Sequence, residues 1–475
     1  MDTANPKHII FCLSHFKVLQ RFVIHSFELC SFVLCKMWKM RKAKCILALV
    51  ALFILKSETA YSQFLMDMVD TTKNEGKGIL GVYKKFDHLK IGGYIQPQFQ
   101  LTSSKSAKSY EGGDFGPQTS NRFMLRRSRI RFDYFNTGEN KDFGFQMVFQ
   151  FDANERVFTV RDVWGRIFEN KFKMFSFTTG IFARPFGYEI NYSSSDRESP
   201  ERGRMSQILM KSERDIGGMV SFDPRRNIPG LNKLKIDIGF FNGQGINATR
   251  DFDNYKDLIA RVSVKPLRIS KKVTFAFGAS TLQGGLMQNT KYNYYTGLAN
   301  GIKTTLVDSS ATNLYSKSPR VYYGADAQLK IKNKVGSSEF KAEYITGKQS
   351  GTNFSSESPN ALLTGRDGYN VRNFSGGYLY YVQSLFSTRH QLVVKYDWYD
   401  PNTDVSGNDI GVTGSKLNDA DIQYNTLGLG YINYLTENIK LVFYYARVMN
   451  ETTLLKGYTS DVKDDVMTFR IQYRF

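Results

Sequence analysis

The sequence predicts an all-β chain, a transmembrane antiparallel β-barrel of about 16 strands with long external loops and short periplasmic turns. Three observations lead there. The residues that close the chain alternate, with Met467, Phe469, Ile471, Tyr473 and Phe475 on one face and Thr468, Arg470, Gln472 and Arg474 on the other. Period two of this kind gives a strand one lipid face and one water face. Strands with the same pattern recur along the chain. No segment beyond residue 62 reaches the roughly 18 to 20 apolar residues of a spanning helix, whereas a barrel strand needs only about 9 to 11 residues, half of them apolar. Composition agrees: 14% aromatic residues, 39 glycines and 11 prolines with slightly negative mean hydropathy describe neither a disordered chain nor a helical membrane protein.

In chain order, residues 1–39 are read as an upstream stretch preceding the true start, which is expected at Met37 or Met40; an uncleaved amphipathic anchor is the alternative. Residues 40–62 have the form of a signal peptide. Met40, Arg41, Lys42 and Lys44 make its basic start, Ile46 to Leu55 its apolar core, and Ala60 and Ser62 the small positions before a cut at Gln63. All four cysteines, Cys12, Cys30, Cys35 and Cys45, precede that cut. A cysteine-free exported chain cannot be trapped by wrong disulfides in an oxidising compartment. Residues 63–88, with Lys73, Lys77, Lys84 and Lys85, are expected to form a periplasmic tail. Residues 89–475 form the barrel of a protein expected in the bacterial cell outer membrane.

Alternation and turn residues place strands at 89–101, 122–135, 142–152, 160–169, 173–183, 217–223, 233–242 and 257–265, then at 271–280, 319–331, 337–346, 375–384, 389–399, 424–434, 438–448 and 465–475. The segments around Asn289 and Phe222 leave that count open by two. Outward faces read Phe143, Phe145, Met147, Phe149, Phe151, then Val273, Phe275, Phe277, then Ile439, Leu441, Phe443, Tyr445. Tyr378, Tyr380, Tyr431, Tyr434 and Tyr473, near strand ends, suit interfacial aromatic girdles. Sixteen strands leave an aqueous interior where eight would be filled by side chains.

Tight turns are expected at Asn136–Lys141, Glu169–Lys173, Pro266–Lys271, Asn333–Ser337 and Leu435–Asn438. Long polar segments rich in Ser, Asn, Asp and Gly separate them: Thr102–Asn121, Gly187–Ile216, Asn242–Lys256, Leu282–Ser318, Gly347–Phe374 and Pro401–Gln423. One such loop often folds inward. Gly187–Ile216 is the candidate, and Arg197, Arg202, Arg204 and Lys211, among acidic neighbours Asp196, Glu198 and Glu201, are its candidate constriction residues.

The chain carries 64 basic and 44 acidic residues, of which nine and three lie in residues 1–62, so the remainder is about fourteen charges positive. Nucleic-acid binding is the weaker reading of that excess, because the cations sit at alternate strand positions and no such motif accompanies them. In Arg126-Arg127-Ser128-Arg129-Ile130-Arg131-Phe132-Asp133-Tyr134, period two sets Arg127, Arg129, Arg131 and Asp133 on one face. Guanidiniums facing lipid would cost about 2 to 4 kcal/mol each at the midplane. They are therefore assigned to the lumen, where bidentate donors suit phosphate or carboxylate. The alternative is that Asp133, Asp142 and Asp152 neutralise them and stiffen the wall. Lys395, Arg470 and Arg474 point inward by the same rule.

Other chemistries find less support. An enzyme would want a well-placed histidine, and beyond the signal segment only His88 and His390 remain, one before the first strand and one opening another. Asp251, Asp253 and Asp257, or Asp404 and Asp409, lack the spacing of a recognised calcium loop. No cofactor is expected.

The arginine-rich strand Arg126–Asp133 resembles the early strand of the phosphate-selective porin O and P family. Gly180-Ile181-Phe182-Ala183-Arg184-Pro185-Phe186-Gly187 is similar to that family's Gly-x-Phe-x-x-Pro-Phe-Gly segment. Glu213–Gly217, Phe241-Asn242-Gly243, Lys256–Arg261 and Lys395–Asn402, which ends in Asp-Pro-Asn, follow in order. The resemblance covers roughly Leu89 to Phe475. It implies a sixteen-stranded outer-membrane porin, usually a homotrimer, that passes small anions such as phosphate or polyphosphate by diffusion. It also implies contact with outer-membrane lipid and with the barrel assembly machinery through the strand ending at Phe475. Asp133, Asp237 and Asp326, at inward positions, work against strict anion selectivity. A general non-selective porin, or a structural or adhesive barrel with a closed lumen, remains the alternative.

Overall fold

The computed structural model describes residues 88–137, 141–248 and 250–475. The upstream stretch, the signal peptide and all but the last residue of the 63–88 tail lie outside these. The described residues form one sheet of eighteen strands. Its first nine are β1 (Leu89–Thr102), β2 (Asn121–Asn136), β3 (Phe143–Ala153), β4 (Phe158–Glu169), β5 (Phe175–Ala183), β6 (Arg214–Phe222), β7 (Leu234–Phe241), β8 (Asp257–Arg268) and β9 (Val273–Met287). A hairpin of β10 (Asn293–Ala299) and β11 (Ile302–Asp308) follows. The chain then continues through β12 (Lys317–Asn333), β13 (Gly336–Gly351), β14 (Tyr369–Leu385), β15 (His390–Asp400), β16 (Tyr424–Tyr434), β17 (Ile439–Asn450) and β18 (Val466–Arg474).

Each wall strand pairs antiparallel with the next, β9 pairs with β12, and β18 returns to β1. The wall is therefore a closed barrel of sixteen strands. The β10–β11 hairpin stands outside that count and touches the wall through three parallel pairings of β10 with the start of β14. The ambiguous segment near Asn289 thus leads into this external hairpin, whereas Phe222 ends the wall strand β6. Closure leaves no unpaired edge for lipid to meet. At the seam, Gly93 and Phe475 exchange backbone hydrogen bonds of 3.0 and 3.1 Å. A Cβ on Gly93 would come within 2.4 Å of the Arg129 carbonyl and 2.7 Å of the Phe475 ring, so the seam needs glycine there.

The two faces separate cleanly. On β3, Phe143, Phe145, Met147 and Phe149 are exposed while Val148 and Gln150 are buried. Thr468, Arg470 and Gln472 of β18 are buried, and Ile471 and Tyr473 are exposed. Exposed here means facing lipid, because the exposed side is the apolar one. Not every tyrosine assigned to a girdle belongs there. Tyr378 and Tyr380 are buried inside the barrel beside the Lys395 ammonium, which lies 5.6 and 5.0 Å from their ring centres. Tyr434 sits beside Lys440, 5.9 Å from its Nζ. Period two fixes which residues share a face; for these three, strand-end position was an unreliable guide to which face it is.

Short connections gather at the end where the chain enters and leaves the barrel, among them residues 269–272, 334–335 and 435–438. The opposite end carries 103–120, 184–213, 242–256, 288–316, 352–368, 401–423 and 451–465, with 154–157 as its one tight link among the described residues. A closed antiparallel barrel with an apolar outer band and a charged interior is the architecture of a multi-pass bacterial outer-membrane protein. Placing a guanidinium on that band, Phe149→Arg, is expected to destabilise the barrel by about 2 to 4 kcal/mol. Urea titration of the protein folded into lipid vesicles reads the loss.

Candidate functional site

The interior is organised by residues 184–213, which leave β5 and run inside the barrel before β6 returns to the wall. A six-residue helix, α1 (Arg204–Leu209), lies within this loop and buries Met205, Ile208 and Leu209. These pack with Phe186 and Ile190 of the loop against Phe182, Phe241, Ile259, Leu282, Tyr322, Ile345, Phe374 and Tyr399 from the wall. That apolar cluster explains why a polar-looking segment stays inside: about 1.5 to 3 kcal/mol accompanies each fully buried large side chain.

Carboxylates of the loop then meet cations of the wall all round the interior. Glu201 takes Arg126 Nε at 2.9 Å and Arg127 Nη2 at 2.6 Å from β2, and Arg470 Nη2 at 2.9 Å from β18. Glu198 pairs with Lys341 of β13 at 2.5 Å, and Glu189 with Lys395 of β15 at 3.0 Å. Asp196 pairs with Arg474 at 2.9 Å. Glu213 gathers Arg161 and Arg214 of the wall together with Arg202 of the loop. Further hydrogen bonds add to these, with Ser194 Oγ 2.7 Å from the Tyr94 hydroxyl and the Ser195 carbonyl accepting from Lys440 and Gln472.

The three arginines of the β2 ladder face the lumen, and each has a carboxylate. Arg127 uses Glu201, Arg129 uses Asp152 at 2.8 Å, and Arg131 uses Asp133 at 2.6 Å. Arg129 also donates to the Tyr94 hydroxyl and to Ser194. Asp142 takes part in none of these pairs. Of the four loop cations named from sequence, Arg197 and Arg202 brace the loop itself. Arg197 donates to the Ser199 and Pro200 carbonyls, and Arg202 to those of Glu189, Ile190 and Tyr192. Arg204 lies between the rings of Tyr424 and Tyr110, at 3.5 and 4.6 Å. Lys211 reaches Glu357 of an external loop at 2.5 Å.

Sequence periodicity misses two of the arginines that hold this loop. The register of β1 and β2 slips between Gln96 and Pro97, so Arg126 is an extra residue facing no partner. β3 and β4 slip between Gln150 and Phe151, and the extra residue is Arg161. A bulge breaks the two-residue period, which lets Arg126 join Arg127 on Glu201 and Arg161 join Arg214 on Glu213. A third slip, between Val264 and Leu267, frees Lys265 to pair with Asp223. Proline cannot donate to a ladder and favours bulges. Pro97 and Pro266 were the available signals.

Three cavities surround the loop. An outer one of about 760 Å³ is lined by the 104–114 loop, Arg126, Arg204, Glu357, Asp419 and Asp464. A small one of about 220 Å³ lies at Arg126, Arg127, Glu201, Arg202 and Glu213. An inner one of about 420 Å³, toward the short-turn end, is bounded by Tyr188, Tyr192 and Ser193 of the loop and by Arg131, Trp164, Arg166, Lys235, Arg261 and Lys265 of the wall. Among the described residues no group of three or more His, Cys, Asp or Glu side chains could hold a metal ion. Asp251 is instead paired with Lys256, and Asp409 caps Ser406 and pairs with Lys303.

No family model matches the chain, and no curated protein does. Among solved structures, the fold is similar to an anion-selective porin from Comamonas acidovorans, with 9% identity and a TM-score of 0.48, covering 82% of this chain and 99% of that one. It is also similar to the outer membrane channel DcaP of Acinetobacter baumannii (10% identity, TM-score 0.49, 82% and 97% covered) and to Salmonella typhi OmpF in complex with daunomycin (11%, 0.48, 82% and 97%).

Removing the hub, Glu201→Gln, leaves three guanidiniums without their shared carboxylate, a change that typically costs about 3 to 5 kcal/mol when such a pair is buried. The variant is expected to unfold at lower urea concentration. At the outer end, burial holds the Asp464 carboxyl at about 6, with Asp461 and Asp465 adding to the rise and Arg204 opposing it. Asp464 therefore loses its charge as pH falls from 7 through that value toward 5. Any ion current through the barrel is expected to shift toward anions on acidification across that window, which reversal potentials at the two pH values would register.

Proposed function

We propose that this chain is an outer-membrane porin through which small anions, inorganic phosphate among them, diffuse passively. The observation that carries the reading is the inward loop 184–213, which narrows a sixteen-stranded lumen while cation-lined cavities remain on both sides of it. A solute entering from either end meets guanidinium and ammonium groups held by strands, and several moderate sites in series allow transit where one deep site would trap. No energy source or cofactor is needed. Assembly as a homotrimer is part of the proposal.

A second reading, a general pore with little selectivity, rests on the ion pairing itself. Glu201, Asp152 and Asp133 each neutralise a ladder arginine, so the field along β2 is that of dipoles more than of bare charges. Single-channel conductance of the purified protein in planar bilayers, with reversal potentials across a potassium chloride gradient and phosphate as blocker, separates the readings. Anion-selective current blocked by phosphate supports the first, unselective current the second, and no current a closed structural barrel. Replacing Arg127, Arg129 and Arg131 together by Gln should lower the anion-to-cation permeability ratio several-fold, since three positive charges leave the lumen while their carboxylates stay. An unchanged ratio would make the ladder purely structural.

A further inference from the structure

The inner cavity holds one cation outside any ion pair, beside a flat aromatic surface. Six cations line it. Five are tied to carboxylates: Arg131 to Asp133, Arg214 to Asp162, Lys235 to Asp237, Arg261 to Asp326 and Lys265 to Asp223. Arg166 is the sixth, and among the described residues no carboxylate lies within ion-pair distance of it. Its Nε donates to Thr178 Oγ1 at 2.8 Å, which fixes the plane of the guanidinium and leaves its two terminal amino groups for another acceptor.

Beside it stands Trp164, also on the lumen face of β4. The Arg166 guanidinium lies 5.0 Å from the Trp164 ring centre and that of Arg131 lies 6.0 Å away. Phe182, Pro185 and Tyr188 continue the apolar wall of the cavity. Its volume, about 420 Å³, falls within the ordinary range for small-molecule sites.

We propose that this cavity is a binding station for small aromatic monocarboxylates, the carboxylate on the terminal amino groups of Arg166 and the ring against Trp164. The proposal rests on the reading of the barrel as a diffusion pore for anions and names the solute class that the inner half of that pore selects. Charge discriminates against phosphate here. A dianion wants several donors whose charge is not already spent on carboxylates, and Asp162 and Asp237 line the same cavity and repel it. A monoanion needs one guanidinium, and a planar apolar body gains from the aromatic wall what a compact oxyanion cannot.

The test uses the full folded protein and two readouts. In planar bilayers carrying potassium chloride current, benzoate is expected to block reversibly at concentrations well below those at which phosphate blocks. Trp164→Ala and Arg166→Gln are each expected to weaken that block, measured against each variant's own chloride current, about tenfold, in line with one aromatic or cation contact. Phosphate blocking as well as benzoate, or block indifferent to both substitutions, would overturn the proposal while leaving the pore intact. Binding is read separately by quenching of tryptophan emission with 4-nitrobenzoate, which Trp164→Phe should largely abolish. Absence of current would defeat the pore reading alone; absence of quenching in the unmodified protein would defeat the station itself.

Discussion

A single carboxylate, that of Glu201, holds three guanidiniums from two strands at 2.6 to 2.9 Å, and much of the interior follows from that arrangement. A buried ion pair is stable only when desolvation is repaid by close geometry and further hydrogen bonds. Here Arg470 also binds Gln98, and Arg127 lies within reach of Gln96, so the hub is embedded in a polar network that spans β1, β2 and β18. Glu189, Glu198 and Glu213 repeat the device at other points of the wall. The loop therefore keeps its position through charges distributed around the barrel, while its apolar residues supply the burial. One consequence is that most lumen cations named by the sequence are occupied. A large positive count in the chain translates into a much smaller excess available to a solute.

The strands were legible because a membrane barrel imposes period two on long stretches, and all sixteen wall strands fall where alternation and turn residues put them. Their outer ends were less so. β9, β13 and β14 run well past 280 and 346 and begin before 375, since beyond the lipid no face need be apolar and the alternation fades. The β10–β11 hairpin escaped for the same reason. Inside the barrel, the lumen position of Arg127, Arg129, Arg131, Lys395 and Arg470 could be read from spacing alone, but their partners could not. Glu189, Glu198 and Glu201 lie far away in sequence, and nothing local to them records where the loop goes.

The bulges show a different limit. Arg126 and Arg161 occupy positions that a strict two-residue period would turn to lipid, and Lys265 stands at the third such break. In each case one irregularity of the ladder delivers a cation to an interior carboxylate. The fold thereby gains adjacent cations on one strand, Arg126 beside Arg127, which no regular strand can aim at the same group. Local backbone disorder in the pattern is thus where the interior acquires its densest electrostatics.

The loop also bears on the order in which the molecule can assemble. It emerges from the middle of the chain, yet it touches Tyr94 and Gln96 of β1 as well as Arg470, Gln472 and Arg474 of β18. Those two strands meet only when the sheet closes, the pairing with the greatest sequence separation and hence the largest loop-closure entropy. The full set of loop contacts cannot exist before that event. Docking of residues 184–213 is therefore a clasp laid across the seam, completed with the last turn of the wall, and it strengthens the joint at which an antiparallel barrel would otherwise be easiest to reopen.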